Sequence, residues 1–374
     1  MAVRNFTNAG WATGTYCNAQ CKQCYSKKYR TSDSALTYEE IDIILQKLSD
    51  YGIQIINLGG NEPVFTDGKD IAKTKLPYLL KTAHRLGFTV GITTNGTTAN
   101  YLYENTDAFE YVNDWDISFD SFMESEHNQN RGAVLYSSAV RAINRIHECQ
   151  KSVSVVYCLM NWNSTKAHAR TLSDFCAEHK TDLRVNTLKP IQEKHFSLLP
   201  AFKDIRTFFG VITQRFDVIS SSDICAAEQL SPPQTKRCRC GYHSFSIGTK
   251  KSDGSVPISP CVYLQDFATG NLLLQDIDEI VSSAEIFEML RKRYEQGAIN
   301  CRKNGCTHLD FCRGGCAAYA YLTTGSVMNG DDRCPIFHGF DLSNLSCSVK
   351  SEVENKVHEN YLCTYIGRLK KWQN

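Results

Sequence analysis

Short β-branched segments alternate with segments of helical periodicity from about residue 10 to residue 215, and no other feature constrains the fold as much. The helical pattern YEEIDIILQKL (38–48) precedes the strand-like run IQIINL (53–58), and LPYLLKTAHRLG (76–87) precedes FTVGITTNG (88–96). Strands that alternate with helices form βαβ units and a parallel sheet. About six units are too few for a closed eightfold barrel, so we predict an α/β fold with a partial (βα)6 TIM-like barrel. Ligands of such sheets bind at the carboxyl ends of the strands, so the residues after each strand are the candidates for a site.

The pattern changes between about residue 220 and residue 345. Short irregular segments, turn signals such as SDGS (252–255) and a dense series of cysteines replace the alternation. This region lacks the long apolar periodic segments of a self-sufficient core, so we expect bound metal to supply much of its stability. We therefore predict a core domain at 1–220, a cysteine-rich domain at 221–347 and a C-terminal helix at 348–374.

The balance of charges gives no reason to expect a nucleic-acid or membrane partner. The chain has 41 Lys and Arg against 40 Asp and Glu, a net charge of +1. The opening MAVRNFTNAG is too polar for a signal peptide, and no run approaches the roughly 18 apolar residues of a membrane span. We therefore expect a cytoplasmic protein, and we interpret the basic run Lys27, Lys28 and Arg30 as a solvated face.

Seventeen cysteines are unusual in a reducing compartment, where structural disulfides are disfavoured and clustered thiols more often ligate metal. Cys17, Cys21 and Cys24 lie close together near the start of the chain. Three thiolates on a short loop can bind three irons of a [4Fe–4S] cluster and leave the fourth iron for a chelating substrate. A zinc site with a distant fourth ligand is the alternative.

The residues that follow the next strands carry groups suited to a ligand. Two glycines after the second strand allow close backbone approach, and Glu62 offers a carboxylate to an ammonium group. Thr94 and Asn95 can bond sugar hydroxyls, and Arg131 can pair with a carboxylate. The candidate positions are Gly59, Gly60, Glu62, Thr94, Asn95, Asp116, Ser118, Asp120 and Arg131. Each alone is also compatible with a plain turn, but together they describe a site for an amino acid joined to a nucleoside.

With these motifs the first half of the chain resembles the radical S-adenosylmethionine (SAM) enzymes. Their signature is CxxxCxxC after the first strand, a GGE-type motif after the second and further SAM contacts at later strand ends. In that family SAM chelates the open iron of a [4Fe–4S] cluster, and its reductive cleavage gives a 5′-deoxyadenosyl radical that takes a hydrogen atom from the substrate. The resemblance implies a radical SAM oxidoreductase with these two cofactors.

The resemblance also implies roles for individual residues. The implied ligands of the radical SAM cluster are Cys17, Cys21 and Cys24. The implied SAM-binding residues are Gly59, Gly60, Asn61, Glu62, Thr94, Asn95, Ser118, Asp120 and Arg131. Among these the GGE-type motif would meet the methionine ammonium group, the TTNG residues the ribose, and Ser118 and Arg131 the carboxylate. Two departures from the family pattern are Gln23, where an aromatic residue is usual, and the inserted Asn61.

The cysteine-rich second half resembles the SPASM extension of this family, which carries auxiliary iron–sulfur clusters. The gaps between its cysteines fit that family, except that four residues rather than the usual two separate Cys301 from Cys306. The family's ligation implies two auxiliary [4Fe–4S] clusters, one of them held by Cys301, Cys306, Cys312 and Cys334. The other would take Cys240, Cys261 and Cys316, with Cys238 preferred as the fourth ligand, Cys225 as the second choice and an open iron as a third possibility. The cysteines that fit no cluster are Cys149, Cys158, Cys176, Cys347 and Cys363, of which we interpret the first three as small core hydrophobes.

Catalytic acid–base groups are weakly constrained by the sequence. In sulfatase-maturing members of the family an aspartate that follows a cluster cysteine acts as base, whereas here Val262 follows Cys261. Asp266 and Tyr263 are the nearby candidates, and each is also suited to a surface role.

Three hypotheses for the function follow. The first is a radical SAM maturase that oxidises or crosslinks a peptide, the second a radical SAM dehydrogenase or related enzyme acting on a small metabolite, and the third a zinc-binding module without catalysis. For the first we expect an electron donor such as flavodoxin or ferredoxin. We also consider a separate peptide-recognition protein, because the SAM motif begins so early in the chain.

Overall fold

A ten-stranded sheet organises the protein. The computed structural model describes residues 5–30, 34–220, 234–235, 237–341, 348–349 and 365–370. The strands are β1 (Asn8–Ala12), β2 (Ile55–Gly59), β3 (Thr89–Thr94), β4 (Asp114–Phe119), β5 (Ser152–Leu159), β6 (Asp182–Thr187), β7 (Phe216–Ser220), β8 (Gln234–Thr235), β9 (Ser244–Ile247), β10 (Ile258–Ser259), β11 (Ser348–Val349) and β12 (Tyr365–Leu369). The large sheet has the order β10–β9–β1–β2–β3–β4–β5–β6–β12–β7, and β8 pairs with β11 in a separate small sheet.

The six strands from β1 to β6 confirm the predicted succession of βα units. From β1 to β6, consecutive strands pair in parallel, as in the register of Asn8 with Ile55 or of Asp114 with Ser152. Because these strands are parallel, their carboxyl ends lie along one edge of the sheet. In the described part of the chain the sheet is open, as expected of a partial barrel.

Amphipathic helices connect these strands and cover the sheet. The helices are α1 (Tyr38–Tyr51), α2 (Leu76–Arg85), α3 (Thr97–Asn105), α4 (Glu124–Arg131), α5 (Tyr136–Glu148), α6 (Lys166–Glu178), α7 (Phe202–Arg215), α8 (Ile277–Ser283), α9 (Glu285–Gln296), α10 (Ile299–Lys303), α11 (Leu309–Cys312) and α12 (Ala317–Thr324). In α1, capping residues in the sequence account for where the helix begins and ends. Thr37 and Glu40 form a capping box at the start of α1, and Gly52 ends it with φ +98°. Its apolar positions Ile41, Ile44, Leu45 and Leu48 are buried against the sheet.

The cysteine-rich region joins the same sheet and the same core. Strand β9 pairs in parallel with β1, on the side of β1 opposite to β2. The ring of Phe6 packs at 5.2 Å from that of Phe245 and at 6.1 Å from that of Phe287. The expectation that this region lacks periodic apolar segments is wrong for α8 and α9, which bury apolar side chains in the common core. Both helices are short, with 7 and 12 residues, so their periodic signal in the sequence is weak.

The predicted C-terminal helix at 348–374 is wrong for residues 365–369. These residues form β12, which lies antiparallel between β6 and β7. Residues 348–349 are also in a strand, and the other positions of the predicted helix apart from residue 370 lie outside the described residues. The unassigned Cys347 and Cys363 and the alternative ligand Cys225 lie outside them as well. None of the helices that the structure describes has the length and apolar character needed to cross a membrane.

Candidate active site

A cavity opens where the carboxyl ends of the parallel strands meet the loop that carries the first three cysteines. Its lining consists of Cys17, Ala19, Cys21, Gln23, Cys24, Tyr25, Arg30, Gly60, Asn61, Glu62, Thr93, Thr94, Asn95, Ser118, Arg131, Val156, Cys158, Asn186, Thr187, Leu188, Lys189 and Tyr263. The residues predicted from the sequence that line it are Cys17, Cys21, Cys24, Gly60, Asn61, Glu62, Thr94, Asn95, Ser118, Arg131 and Tyr263. The predicted residues Gly59, Asp116, Asp120 and Asp266 do not line it. Asp116 forms a buried ion pair with Arg184 instead.

The loop after β1 presents three thiols to the cavity, and two of them face guanidinium groups. Arg131 Nη1 donates to Cys21 Sγ at 3.8 Å, and Arg30 Nη2 donates to Cys24 Sγ at 3.3 Å. Burial raises the pKa of Cys17 to about 12, and burial also raises the pKa of Cys21. Neutral pH alone therefore does not ionise the thiols of Cys17 and Cys21.

Three thiols on one loop fit the ligand set of a [4Fe–4S] cluster with one open iron. Such a cluster takes one thiolate on each of three irons, so its ligands do not need to converge on one point. Nowhere in the described ranges are three or more His, Cys, Asp or Glu side chains grouped to hold a single metal ion. The guanidinium groups of Arg30 and Arg131 are placed to offset the negative charge of the coordinated thiolates.

A buried hydrogen-bonded network supports the segment from residue 13 to residue 30, which is called the cluster loop below. The network consists of Gln23, Asp120, Asn130 and Arg131. Gln23 Nε2 donates to Asp120 Oδ1 at 3.0 Å, and Asn130 Nδ2 donates to Asp120 Oδ2 at 2.8 Å and to Gln23 Oε1 at 2.9 Å. Arg131 Nη2 donates to Asp120 Oδ1 at 3.0 Å, and Arg131 Nε lies 2.6 Å from Oδ2. Burial opposes the charge of Arg131, but the Asp120 carboxylate outweighs it and raises the pKa of Arg131.

This network corrects the direct SAM contact predicted for Asp120. Its side chain is 0% exposed and is taken up by three protein donors, so it orients Arg131 instead of facing the cavity. Arg131 keeps Nη1 directed at Cys21 and is only partly available for a ligand carboxylate. The departure at Gln23 is explained too, because its amide anchors the cluster loop to the end of β4.

Glu62 ties the loop after β2 to the start of α3. The side chain is 2% exposed. Its carboxylate accepts hydrogen bonds from the backbone N–H groups of Asn95 at 3.0 Å and Thr98 at 2.9 Å. It also accepts from Thr98 Oγ1 at 2.5 Å and from Thr94 Oγ1. Burial raises the pKa of Glu62, and these hydrogen bonds oppose that effect. Three of these four hydrogen bonds end on Oε1 and one on Oε2. The contact of Glu62 with an ammonium group therefore stays a prediction, for which Oε2 is the oxygen with acceptor capacity left.

The glycines after β2 differ in position. Gly60 lines the cavity with φ +90°, and a Cβ there would lie 2.9 Å from Ala12 Cβ. Glycine is therefore required where this backbone reaches the cavity. Gly59 is the last residue of β2, and a Cβ there would face the Thr93 side chain at 3.6 Å rather than the cavity.

The inserted Asn61 anchors both the loop and a neighbouring cation. Asn61 Nδ2 donates to Gly14 O at 2.6 Å, and Arg30 Nε donates to Asn61 Oδ1 at 2.6 Å. Arg30 is half-buried and lines the cavity, so its interpretation as part of a solvated face is wrong. That interpretation is confirmed for Lys27 and Lys28, which are exposed.

The far wall of the cavity comes from the ends of β5 and β6 and from the cysteine-rich region. Cys158 lines the cavity from β5, which corrects its interpretation as a core hydrophobe, and burial raises its pKa to about 12. Cys176 is fully buried, as predicted. The Tyr263 ring packs at 5.0 Å from the ring of Tyr25, and Lys189 Nζ lies 5.2 Å from its centroid. Lys189 follows β6 by two residues, so the strand-end rule applied to β6 would have found it.

Asp266 lies outside the cavity, which corrects its selection as a catalytic candidate. Its carboxylate oxygens accept from Lys28 Nζ at 2.8 Å and 2.9 Å, and Tyr29 Oη donates to Oδ1 at 3.1 Å. The Asp266 side chain is 42% exposed. It therefore links the cluster loop to the cysteine-rich region, and Tyr263 is the acid–base candidate that faces the cavity.

One group of cysteines in the second region surrounds Cys238. Burial and hydrogen bonding with the thiols of Cys238 and Cys261 raise the pKa of Cys240 well above its usual range. Hydrogen bonding with the Cys238 thiol, together with burial, raises the pKa of Cys316 in the same way. Of the other three cysteines in the predicted ligand set, Cys238 thus contacts Cys240 and Cys316.

The second group consists of Cys301, Cys306, Cys312 and Cys334. Burial, together with the nearby thiols of Cys312 and Cys306, raises the pKa of Cys301 to about 12. Burial, together with the thiols of Cys312, Cys301 and Cys306, raises the pKa of Cys334 to about 12 as well. The long gap from Cys301 to Cys306 is taken up by α10 and a turn, in which Cys306 N–H donates to Cys301 O at 3.1 Å.

Comparison with known families gives one match that covers the first cysteine motif. Residues 11–171 match the model of the radical SAM superfamily. The mycofactocin maturase MftC of Mycobacterium ulcerans (strain Agy99) is 25% identical over 344 residues, which cover 86% of this chain and 85% of that protein. MftC of Mycolicibacterium smegmatis is 25% identical over 338 residues, covering 86% and 80%.

Two solved structures share the fold. Streptococcus suis SuiB, bound to the precursor peptide SuiA, matches with a TM-score of 0.62 and 17% identity over 88% of this chain and 75% of that one. Native anSMEcpe with bound AdoMet matches with a TM-score of 0.65 and 16% identity over 88% and 94%. The fold of this chain thus recurs in proteins of low sequence identity.

Proposed function

Because this chain is a member of the radical SAM family, we propose that it is an enzyme that oxidises or crosslinks a peptide. The observation that carries the proposal is the shared cavity, which brings together the CxxxCxxC thiols, the strand-end residues and Tyr263 from the cysteine-rich region. MftC is a maturase, and SuiB is found with a precursor peptide. We extend a precursor-peptide substrate to this chain from those likenesses.

The first cofactor would be held by the cluster loop. Cys17, Cys21 and Cys24 would be its ligands, with Arg30 and Arg131 offsetting their charge. When bound, a [4Fe–4S] cluster and SAM supply a 5′-deoxyadenosyl radical that removes a hydrogen atom from the substrate. The protein's own part is to orient the ligand and to exclude water from the cavity.

The SAM-binding residues would line the strand-end side of this cavity. They are Gly60, Asn61, Glu62, Thr94, Asn95, Ser118 and Arg131. The backbone at Gly60 reaches the cavity without a side chain, which suits close contact with the methionine part of SAM. Asp120 would act by holding Arg131.

The second region would hold two auxiliary [4Fe–4S] clusters. One ligand set would be Cys238, Cys240, Cys261 and Cys316, and the other Cys301, Cys306, Cys312 and Cys334. A bound cluster of this kind would supply an electron acceptor beside the substrate. Removal of a hydrogen atom and then of one electron from the resulting substrate radical would make a net two-electron oxidation. Tyr263 follows Cys261 by two residues and faces the cavity, so the first of these sets would lie next to the substrate.

The proposal also implies partners and a compartment. An electron donor such as flavodoxin or ferredoxin would reduce the first cluster, and a separate recognition protein would present the peptide. A reducing compartment such as the cytoplasm suits the many thiols of the chain.

Anaerobic reconstitution with iron and sulfide tests the cofactor assignment. Three clusters predict on the order of twelve irons per chain. The variant Cys17→Ala/Cys21→Ala/Cys24→Ala should lose roughly a third of that iron and all reductive SAM cleavage, because only its first ligand set is removed. Cys176→Ala, which alters a buried cysteine away from the cavity, is the control and should keep both.

Two results would contradict the assignment. SAM cleavage that persists in the triple variant would refute the first ligand set. Stoichiometric zinc with little iron would favour the non-catalytic zinc module over any radical enzyme.

The substrate class is tested by anaerobic incubation with SAM, a reductant and peptides encoded by short reading frames near the gene. Loss of hydrogen from a peptide, read by mass spectrometry, supports the maturase, whereas loss of hydrogen only from a metabolite supports the dehydrogenase alternative.

A further inference from the structure

Lys189 is a buried cation in the cavity wall that the proposed chemistry does not use. Its side chain is 4% exposed, and it follows β6 at the edge where the cavity opens. Its Nζ donates to Thr187 O at 3.0 Å and lies 5.2 Å from the centre of the Tyr263 ring. An ammonium group has three N–H donors, so the backbone carbonyl leaves two of them for another acceptor.

Among the cations of the cavity, Arg131 has a carboxylate partner, whereas Lys189 has none within the described residues. Arg131 is paired with the Asp120 carboxylate, and Arg30 contacts the Cys24 thiol. Lys189 contacts the Thr187 carbonyl and the face of the Tyr263 ring, and it also acts electrostatically on the Cys158 and Cys316 thiols. A buried charge without a partner of opposite sign is unfavourable, so an anion that enters the cavity would be stabilised there.

We infer that Lys189 binds a carboxylate of a molecule held in the cavity. The carboxylate has two possible sources, which are SAM and the substrate. The residues that the resemblance assigns to the SAM carboxylate stand beside the cluster loop, Ser118 on β4 and Arg131 at the end of α4. Lys189 stands after β6 beside Tyr263 from the cysteine-rich region. This placement favours the substrate, as an acidic side chain or a C-terminal carboxylate of a peptide, and that assignment rests on the proposed function.

The test measures binding, so it does not depend on turnover. The probes are a pool of synthetic octapeptides with acidic side chains and free C-termini, each paired with its Gln, Asn or C-terminal amide analogue. Reconstituted enzyme with SAM selects from this pool anaerobically, and bound peptides are quantified by mass spectrometry. The SAM dissociation constant is measured separately by equilibrium dialysis without peptide. Lys189→Met removes the charge, Lys189→Arg keeps it, and Lys194→Met changes an exposed lysine of the same segment as the control.

We expect the wild type, Lys189→Arg and Lys194→Met to prefer carboxylate peptides over their analogues. Lys189→Met should lower that preference by roughly ten- to a hundredfold, the effect of losing one charge-assisted hydrogen bond, with the SAM dissociation constant unchanged. If Lys189→Met instead weakens SAM binding by a similar factor, the carboxylate at Lys189 belongs to SAM. If it changes neither quantity while iron content and thermal stability stay normal, the inference is overturned. A wild-type enzyme that retains no peptide of either kind argues against the proposed peptide substrate. In that case a weaker SAM affinity of Lys189→Met supports the inference, and an unchanged SAM affinity overturns it.

Discussion

The orientation of Arg131 in the cavity wall is set by residues behind it, chiefly Asp120. Asp120 and Arg131 are both buried, and each satisfies the other through two close contacts. Gln23 and Asn130 complete the acceptor capacity of the carboxylate, so the guanidinium group is held in one orientation toward Cys21. Such a network is rigid only while all its members are present.

Removal of the carboxylate charge at Asp120 should therefore destabilise the protein strongly. Asp120→Asn leaves Arg131 buried without countercharge, and we expect the free energy of unfolding to fall by about 3–5 kcal/mol. The double variant Asp120→Asn/Arg131→Met should lose less, because it removes both charges. Anaerobic denaturant titration of the reconstituted protein measures each value. Asp70→Asn serves as control, because its contact with Lys73 at 3.7 Å is exposed and should contribute less than about 1 kcal/mol. Strictly additive effects in the double variant would rule out the coupling.

Site residues were predictable where motif spacing carries the chemistry, as for Cys17, Cys21 and Cys24. Arg30 was missed because a short run rich in basic residues resembles a solvated face, although its side chain turns back to Asn61 and Cys24. Cys158 was missed because an apolar strand hides a residue that faces a cavity. Long-range side-chain direction is set by packing, which local sequence does not record.

At the scale of elements, periodic segments were predicted and non-periodic ones were not. The helical pattern at 38–48 is observed within α1, Tyr38–Tyr51, because its apolar stripe is clear. The helix α4 was missed because its sequence, ESEHNQNR, is entirely polar and has no stripe. Tertiary contacts specify it instead, since Asn128 Oδ1 accepts from the backbone N–H groups of Leu135 at 2.8 Å and Tyr136 at 3.0 Å.

The contact between the ends of β1 and β2 gives a prediction at this scale. Gly60→Ala should lower the free energy of unfolding by about 1–3 kcal/mol, because its φ of +90° disfavours a side chain and its Cβ would meet Ala12 Cβ at 2.9 Å. Adding Ala12→Gly should recover the loss of free energy of unfolding that comes from the contact with Ala12 Cβ. It should not recover the loss that comes from the positive φ at residue 60. Gly68→Ala isolates the backbone part, because its φ is +63° and nothing lies within 4 Å of the added Cβ. Thermal denaturation compares the variants, and a double variant no more stable than Gly60→Ala would refute the steric part.

At the scale of the whole molecule, the change of sequence pattern near residue 220 does not coincide with a break in the sheet. Strand β9 lies beside β1, although more than two hundred residues separate them in sequence. Parallel pairing over such a distance leaves no local periodic signal, so the sequence indicated two separate regions. The structure joins them through the aromatic packing of Phe6 with Phe245 and Phe287 and through the contact of Lys28 with Asp266.

This continuity predicts that damage to the second region will destabilise the first. Phe287 is fully buried in α9, and its ring packs near Phe6, which precedes β1. Phe287→Ala should lower the free energy of unfolding by about 3–5 kcal/mol, because it removes a large buried ring and leaves a cavity in the common core. Amide hydrogen exchange should then accelerate in β1 and β2 as well as in α9, since all three belong to one cooperative core.

Leu274→Ala is the matched control for this prediction. It also shortens an apolar side chain of the cysteine-rich region, but Leu274 is 81% exposed, so the free energy of unfolding should change by less than about 0.5 kcal/mol. Faster exchange confined to α8 and α9 in Phe287→Ala, with β1 and β2 as protected as in the wild type, would mean that the two regions open independently. The cavity would then have to keep Tyr263 in place through surface contacts such as Lys28 with Asp266, which are exposed and weak.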